Sequence, residues 1–158
     1  ISLITKLREE IPDIVIRTTF IVGFPGEKDE EFNELVDFIK DIKFERLGVF
    51  PYSREEGTPA YKLPNQIPEK IKILRRDKIM EVQREISEKI MARNVGKILT
   101  VLIEDKIDEN TYIGRSYMDS PEIDGVISVR TKNDLKLGNF TEVKITDSLE
   151  YDLIGEVI

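Results

Sequence analysis

The sequence predicts an α/β segment followed by a small all-β antiparallel barrel, and three observations lead there. A nine-residue run rich in β-branched residues, Ile14–Val22, passes through a glycine–proline turn into an amphipathic helix and then a second short apolar run. That is the pattern of a βαβ unit. After Gly96 the helical periodicity stops, and five short β-rich segments follow, separated by clusters of Asp, Asn, Ser and Gly. Charge divides at the same place. Residues 1–95 carry 17 Lys/Arg and 18 Asp/Glu, whereas 96–158 carry 7 and 13, so nearly all of the net −7 lies in the β segment.

The first element is a helix over Ser2–Glu10, closed by Ile11-Pro12-Asp13 because proline cannot extend the helical ladder. The strand Ile14–Val22 is apolar on both faces apart from Arg17, Thr18 and Thr19, as a strand in a parallel sheet is. Gly23-Phe24-Pro25-Gly26 ends it. A helix over Asp29–Asp41 follows, with Phe32, Leu35, Val36, Ile39 and Ile42 at helical spacing and Asp29, Glu30 and Glu31 where the first-turn amides favour negative charge. A strand over Arg46–Phe50 completes the unit, whose crossover is expected to be right-handed.

Pro51–Ala60 reads as structureless, and loops of that length usually link or function. Pro68 opens the longest helix, Glu69–Asn94, about 39 Å at the usual rise. Ile71, Leu74, Ile79, Val82, Ile86 and Ile90 are expected to line its buried side, and Arg75, Arg76, Lys78, Arg84, Lys89 and Arg93, mixed with glutamates, a solvated face. The β segments are Lys97–Ile107, Thr111–Tyr117, Gly125–Val129, Phe140–Thr146 and Leu153–Val157. The expected division is 1–66 for the α/β part, 67–95 for the connecting helix and 96–158 for the barrel.

The 158 residues contain no cysteine, histidine or tryptophan. That excludes, within these residues, a disulfide framework, thiolate metal ligation, a cysteine nucleophile and the usual near-neutral base. No nucleophile–base pair can be assembled, so no catalytic residue and no metal ligand is assigned. No apolar run is long enough to span a bilayer and no secretory signal opens the chain, so a cytoplasmic location with no membrane partner is expected. The acid excess in the barrel gives it no overall basic footprint of the kind direct nucleic-acid binding needs, although net charge leaves local clusters open. It reads either as charge that keeps a small barrel soluble or as a surface for a basic protein partner.

Two stretches could carry recognition. Arg17-Thr-Thr-Phe-Ile-Val-Gly-Phe-Pro-Gly-Glu27 ends a strand at the carboxyl side of the sheet, where α/β folds bind ligands. It has neither dinucleotide nor Walker spacing, and on physics alone it reads first as a tight structural turn. Arg17, Thr19 and Ile21 share one strand face, and the guanidinium there needs a carboxylate, a carbonyl or a ligand. Tyr52 and Ser53 follow the second strand and are expected at the same rim. In the barrel, Gly114 and Gly125 frame a loop bearing Arg115, Tyr117, Asp119, Glu122 and Asp124, open to a partner-recognition or a structural reading.

Thr19-x-Ile-Val-Gly-Phe-Pro-Gly-Glu27, Phe50-x-Tyr52-Ser53-x-x-x-Gly57-Thr58-Pro59-Ala60, the long helix, Gly114-Arg-Ser and Tyr151-Asp-Leu-Ile-Gly155 together resemble the radical-SAM methylthiotransferases over essentially the whole chain. Gly114-Arg-Ser-Tyr-x-Asp-x-Pro-Glu-Ile-Asp-Gly125 resembles the RimO branch, which methylthiolates the β-carbon of an aspartate in the small-subunit ribosomal protein numbered twelve. Arg54 departs from the family, where proline is usual. The resemblance implies that the chain is the C-terminal part of a partial radical-SAM TIM-like barrel followed by an OB-like TRAM barrel. It also implies dependence on S-adenosylmethionine and on two 4Fe-4S clusters, with every cluster cysteine lying before Ile1; these residues alone would then be inactive.

By the same resemblance, Arg17, Thr19, Ile21, Gly23, Phe24, Pro25 and Gly26 are the cofactor-binding wall, packing the S-adenosylmethionine adenine. Tyr52 and Ser53, with Arg115, Tyr117, Asp119, Glu122 and Asp124 of the barrel, are the substrate-binding residues. The implied partner is the ribosomal protein, free or within the ribosome. Two other readings stand beside this one: the same chemistry on a tRNA adenosine, and a non-enzymatic RNA- or ribosome-binding module.

Overall fold

Prolines, acidic helix starts and β-branched runs set the elements much as the sequence predicts. A computed structural model describes all 158 residues, in two units, Ile1–Ile86 and Ser87–Ile158. The division falls inside the long helix rather than at either of its ends.

In the first unit, α1 (Ser2–Glu10) ends at Ile11 and buries no residue fully. It is tied down by Arg8, whose guanidinium donates to the carbonyls of Ile42 (2.6 Å) and Lys43 (3.0 Å) and to Glu45 (2.9 Å). One fork thus satisfies carbonyls left open at the end of the next helix. β1 (Arg17–Val22) and β2 (Arg46–Pro51) pair in parallel with Arg17 opposite Arg46 and Ile21 opposite Phe50, and α2 (Asp29–Ile42) connects them. The first strand starts three residues later than expected. β2 begins only at Arg46, so Ile14–Ile16 have no ladder partner, and the Ile16 N–H is taken by the Glu45 carboxylate (2.9 Å) instead.

α2 packs one face of this sheet through Val36, Ile39 and Ile42, with Phe20, Phe38 and Phe44 meeting at ring separations of 5.9–6.4 Å. The opposite face is open: Ile21 is 59% exposed and Phe50 62%. The strand that reads as buried on both faces is therefore covered on one. The stretch after β2 is not wholly structureless, since Pro59–Lys62 form a 3-10 turn capped by Thr58.

α3 (Glu69–Ala92) departs from the expected stripe. Ile79, Val82 and Ile86 are buried as read, but Ile71 and Leu74 are exposed, and their places on the buried side are taken by Lys72 and Arg75. Arg75 is thus not part of a solvated face.

In the second unit, β3 (Ile98–Lys106), β4 (Thr111–Arg115), β5 (Ile127–Arg130), β6 (Phe140–Ser148) and β7 (Leu153–Val157) close in the order β3-β4-β5-β7-β6. The barrel is antiparallel except between β5 and β7, which run parallel with Ile127 opposite Leu153. A closed ring of five strands cannot alternate direction at every pairing, so one parallel contact is a topological necessity. Alternate residues point inward as strand geometry requires: Leu99, Val101 and Ile103, then Tyr112, Ile127, Val129, Val143, Ile145 and Leu153 fill the interior. β4 stops two residues early because Ser116 turns the chain, its N–H and hydroxyl both donating to Asp119. No helix is long and apolar enough to cross a membrane.

Candidate functional site

The first candidate site lies at the carboxyl end of the two-stranded sheet. Gly23 (φ +73°) and Gly26 (φ +90°) take the left-handed conformations that let the chain leave β1 sharply. The turn is held from three directions: the Gly23 N–H donates to the Glu27 carboxylate (2.9 Å), Gly26 N–H to the Asn65 carbonyl (3.0 Å), and Glu27 N–H to Phe24 (2.9 Å). Phe24, 45% exposed, meets the Tyr52 ring edge-on at 5.2 Å. Pro25 is half-buried between them in sequence.

Tyr52 is buried rather than open at a rim, and its hydroxyl finds no hydrogen-bond partner. Its N–H donates to Val22, and its carbonyl accepts from Lys72 (2.8 Å). Ser53 is exposed and donates to Glu55 (2.6 Å).

Thr19 and Ile21 share the open sheet face, beside Gly48 and Phe50 of β2. Arg17 is on the same face but at the amino end of β1, about 20 Å of strand from the turn. The fold therefore gathers Ile21, Phe24, Phe50 and the turn backbone, and leaves Arg17 with Arg46 at the other end. An apolar and aromatic surface beside a turn whose amides are already engaged could pack a flat ring. Iron–sulfur clusters do not fit these residues: there is no thiolate, and no group of three or more His, Cys, Asp or Glu is placed to hold a metal ion.

Helix α3 supplies what sequence reading missed. Arg75 donates to the Glu27 carboxylate (2.5 Å) and to Asp29 (2.7 Å), and Lys72 lies over the Tyr52 ring. A signal was present. The expected stripe jumps five residues from Leu74 to Ile79, roughly 140° around a helix, whereas 72, 75, 79, 82 and 86 keep three- and four-residue steps.

The second candidate site is one end of the barrel. Residues 116–126, between β4 and β5, and the 147–152 turn into β7 lie side by side, because β5 and β7 start together. The Val126 N–H donates to Asp152 (2.8 Å) and the Leu153 N–H to Val126 (3.0 Å). These two stretches hold Asp119, Glu122, Asp124, Asp147, Glu150 and Asp152 and no lysine or arginine; the rest of residues 96–158 is balanced at 7 of each sign. The charge of the whole barrel is thus the charge of one end. Ile123 (76% exposed), Tyr117 (66%) and Leu149 (54%) add apolar surface among the acids.

The expected recognition residues divide by task. Arg115 is engaged across the ladder with Glu104 (2.6 Å), Asp119 shapes the Ser116 turn, and Asp124 accepts from the Ser120 N–H (2.6 Å). Glu122 is exposed, at φ +61°. The opposite end carries Arg130 and Lys132 in a groove with Asn110, Thr131 and Asn133, and a Tyr112–Asp134–Lys106 cluster. There Asp134 accepts from Lys106 (2.6 Å) and Tyr112 (2.9 Å), which holds its carboxyl below the usual range, while Lys106 is pushed up first by its bond to Asp134 and then by neighbouring Tyr112.

Comparison with known proteins gives these two sites a context. Residues 95–158 match the TRAM domain family. Along its whole length the chain is 57% identical to the ribosomal protein uS12 methylthiotransferase RimO of Carboxydothermus hydrogenoformans, covering 36% of that protein. It is 52% identical to the RimO of Petrotoga mobilis over all of this chain and 36% of the relative, and 50% identical to that of Clostridioides difficile over 98% and 35%. The chain is homologous throughout to RimO methylthiotransferases, its β unit is a TRAM domain, and it spans about a third of the length of the curated relatives it matches.

Proposed function

We propose that this chain is the C-terminal part of a radical-SAM methylthiotransferase that adds a methylthio group to the β-carbon of an aspartate in ribosomal protein uS12. The observation that carries the reading is a likeness that runs unbroken through both the glycine turn and the barrel. The relatives take their name from that substrate, and the two candidate sites suit the two tasks the reaction needs.

The turn is the cofactor side. Gly23, Phe24, Pro25 and Gly26, with Ile21 and Thr19, offer backbone and apolar side chains against an adenine ring, and Arg17 stands at the far end of the same strand. The chemistry supplied by S-adenosylmethionine is that of a methyl donor and radical source; protein groups bind and orient. Thiolate ligands for iron would come from sequence outside these residues.

The acidic end of the barrel is the substrate side. Glu122, Asp119, Asp124 and Tyr117, joined by Asp147, Glu150 and Asp152, would face a basic protein, whose approach is steered by opposite charge. Ser53 and Arg115 remain candidates at their sites. The groove at Arg130 and Lys132 favours a second reading, in which the barrel holds RNA. Binding of the chain to purified uS12 and to tRNA separates the two. Glu122→Lys with Glu150→Lys is expected to weaken uS12 binding at least tenfold at low salt. Salt-sensitive tRNA binding lost in Lys132→Glu, with no uS12 binding, overturns the proposal.

A further inference from the structure

We infer that Lys72 and Arg75 of α3 are positioning residues that set the conformation of the Gly23–Gly26 turn; the inference rests on reading that turn as the nucleoside wall. An arginine and a lysine on an amphipathic helix ordinarily face water. Here both are buried, 6% and 5% exposed, and a buried cation is tolerated only when its hydrogen bonds are met. Apart from Glu69 of α3 itself, whose carboxylate accepts from Lys72 (3.1 Å), the groups that meet them belong to, or border, the turn. Arg75 Nη1 donates to Glu27 Oε1, the oxygen that also accepts the Gly23 N–H, and to the Glu27 carbonyl (3.3 Å), while Nη2 reaches Asp29. A single carboxylate oxygen therefore links a helix guanidinium to a turn amide.

Lys72 acts three residues earlier on the same face. Its aliphatic stem fills the space a side chain at position 23 would need, with Cγ where a Cβ would collide with it. Its ammonium donates to the Tyr52 carbonyl and lies 5.2 Å from the Tyr52 ring, which in turn meets Phe24 edge-on. Backbone position at Gly23 and ring position at Phe24 thus both answer to α3. The contacts that bear on the site run from both cations to the turn and its borders, so both act through the turn.

The test is amide hydrogen exchange by NMR on this chain, with S-adenosylhomocysteine as the ligand probe. In Arg75→Met, exchange of the Gly23 N–H is expected to quicken at least tenfold, while Lys43 N–H at the end of α2 and Ile145 N–H in the barrel keep their rates. Arg75→Lys, which keeps the charge and loses the fork, is expected to fall between. Lys72→Met retains the stem, so Gly23 exchange should hold while the Tyr52 and Phe24 ring resonances shift. S-adenosylhomocysteine is expected to shift the Gly23–Gly26 amides, with affinity at least fivefold weaker in Arg75→Met. Gly23 exchange that stays unchanged, or rises only in step with Lys43, overturns the inference, as does equal affinity in wild type and Arg75→Met. A wild type whose turn amides do not respond to the ligand overturns the nucleoside-wall reading instead, and the exchange rates still decide whether α3 holds the turn.

Discussion

In the barrel the deepest residues, from Val101 to Leu153, are apolar, and the largest of them, Tyr112, sends its hydroxyl out to Asp134 at the surface. In the α/β unit Arg46, Lys72, Arg75 and Gln83 are buried, while Ile21 and Phe50 stand exposed on the open sheet face. One unit keeps charge out and closes its sheet into a ring with no free edge. The other takes charge in and leaves apolar surface out. The barrel keeps its charged groups on its surface, whereas the α/β unit takes charge inside, beside the Gly23–Gly26 turn. The distinction is physical: an apolar core tolerates no unsatisfied polar group, while a buried ion pair fixes geometry at little net gain in stability.

The largest expected effect probes the barrel. Ile103→Ala opens a cavity in a fully buried position and is expected to cost about 2–5 kcal/mol in the barrel's unfolding free energy by denaturant titration. Amide exchange in α2 should stay as it was; loosening of both units together would break the comparison.

Next is Glu27→Gln, which removes the charge that both Arg75 and the Gly23 amide address. A loss of about 1.5–3 kcal/mol is expected, confined to the first unit and visible by thermal unfolding. A loss below a few tenths would mean that the pair is as idle as a surface one. Tyr112→Phe follows at about 1 kcal/mol, since the hydroxyl both donates to Asp134 and accepts the Leu135 N–H (3.1 Å).

Acid sharpens the contrast further. The Asp134 carboxyl is held low first by its bond from Lys106 and then by Tyr112. Its contribution is present above the ordinary carboxylate value, near ~3.9, and fades as pH falls through the lower folded value. Asp134→Asn should flatten that part of the barrel's stability curve in an acid titration. Smallest is Tyr52→Phe. The Tyr52 hydroxyl is buried without a hydrogen-bond partner, so its removal is expected to leave stability within about 0.5 kcal/mol or to raise it slightly. A clear loss in calorimetry would show that the phenol is engaged in solution.

Much of this was legible in local pattern. Pro12 and Gly23–Gly26 mark the ends of α1 and β1, the turn clusters after Gly96 separate all five barrel strands, and the acid excess points to the barrel. Where reading failed, a distant residue was responsible. Ile14–Ile16 look as strand-like as Phe20–Val22 but have no ladder opposite them. Ile71 and Leu74 look more buried than Lys72 and Arg75, yet the turn carboxylate at Glu27 and the Tyr52 carbonyl reverse that order. Among the site residues, Tyr52 is covered where the sequence predicts a rim position, Arg17 lies at the amino end of β1, and Arg115 and Asp119 bond within the barrel.

By itself the sequence determined the two architectures, their order and their division of charge, because periodicity, glycine–proline punctuation and composition are local properties that need no partner. Only the tertiary structure decided which face of α3 is buried, and that the two acid-bearing stretches, which contain no lysine or arginine, share one end of the barrel. Both depend on residues far apart in the chain: a helix turns its cations inward only when a carboxylate waits there, and two loops pool their charge only when the strands they feed start side by side.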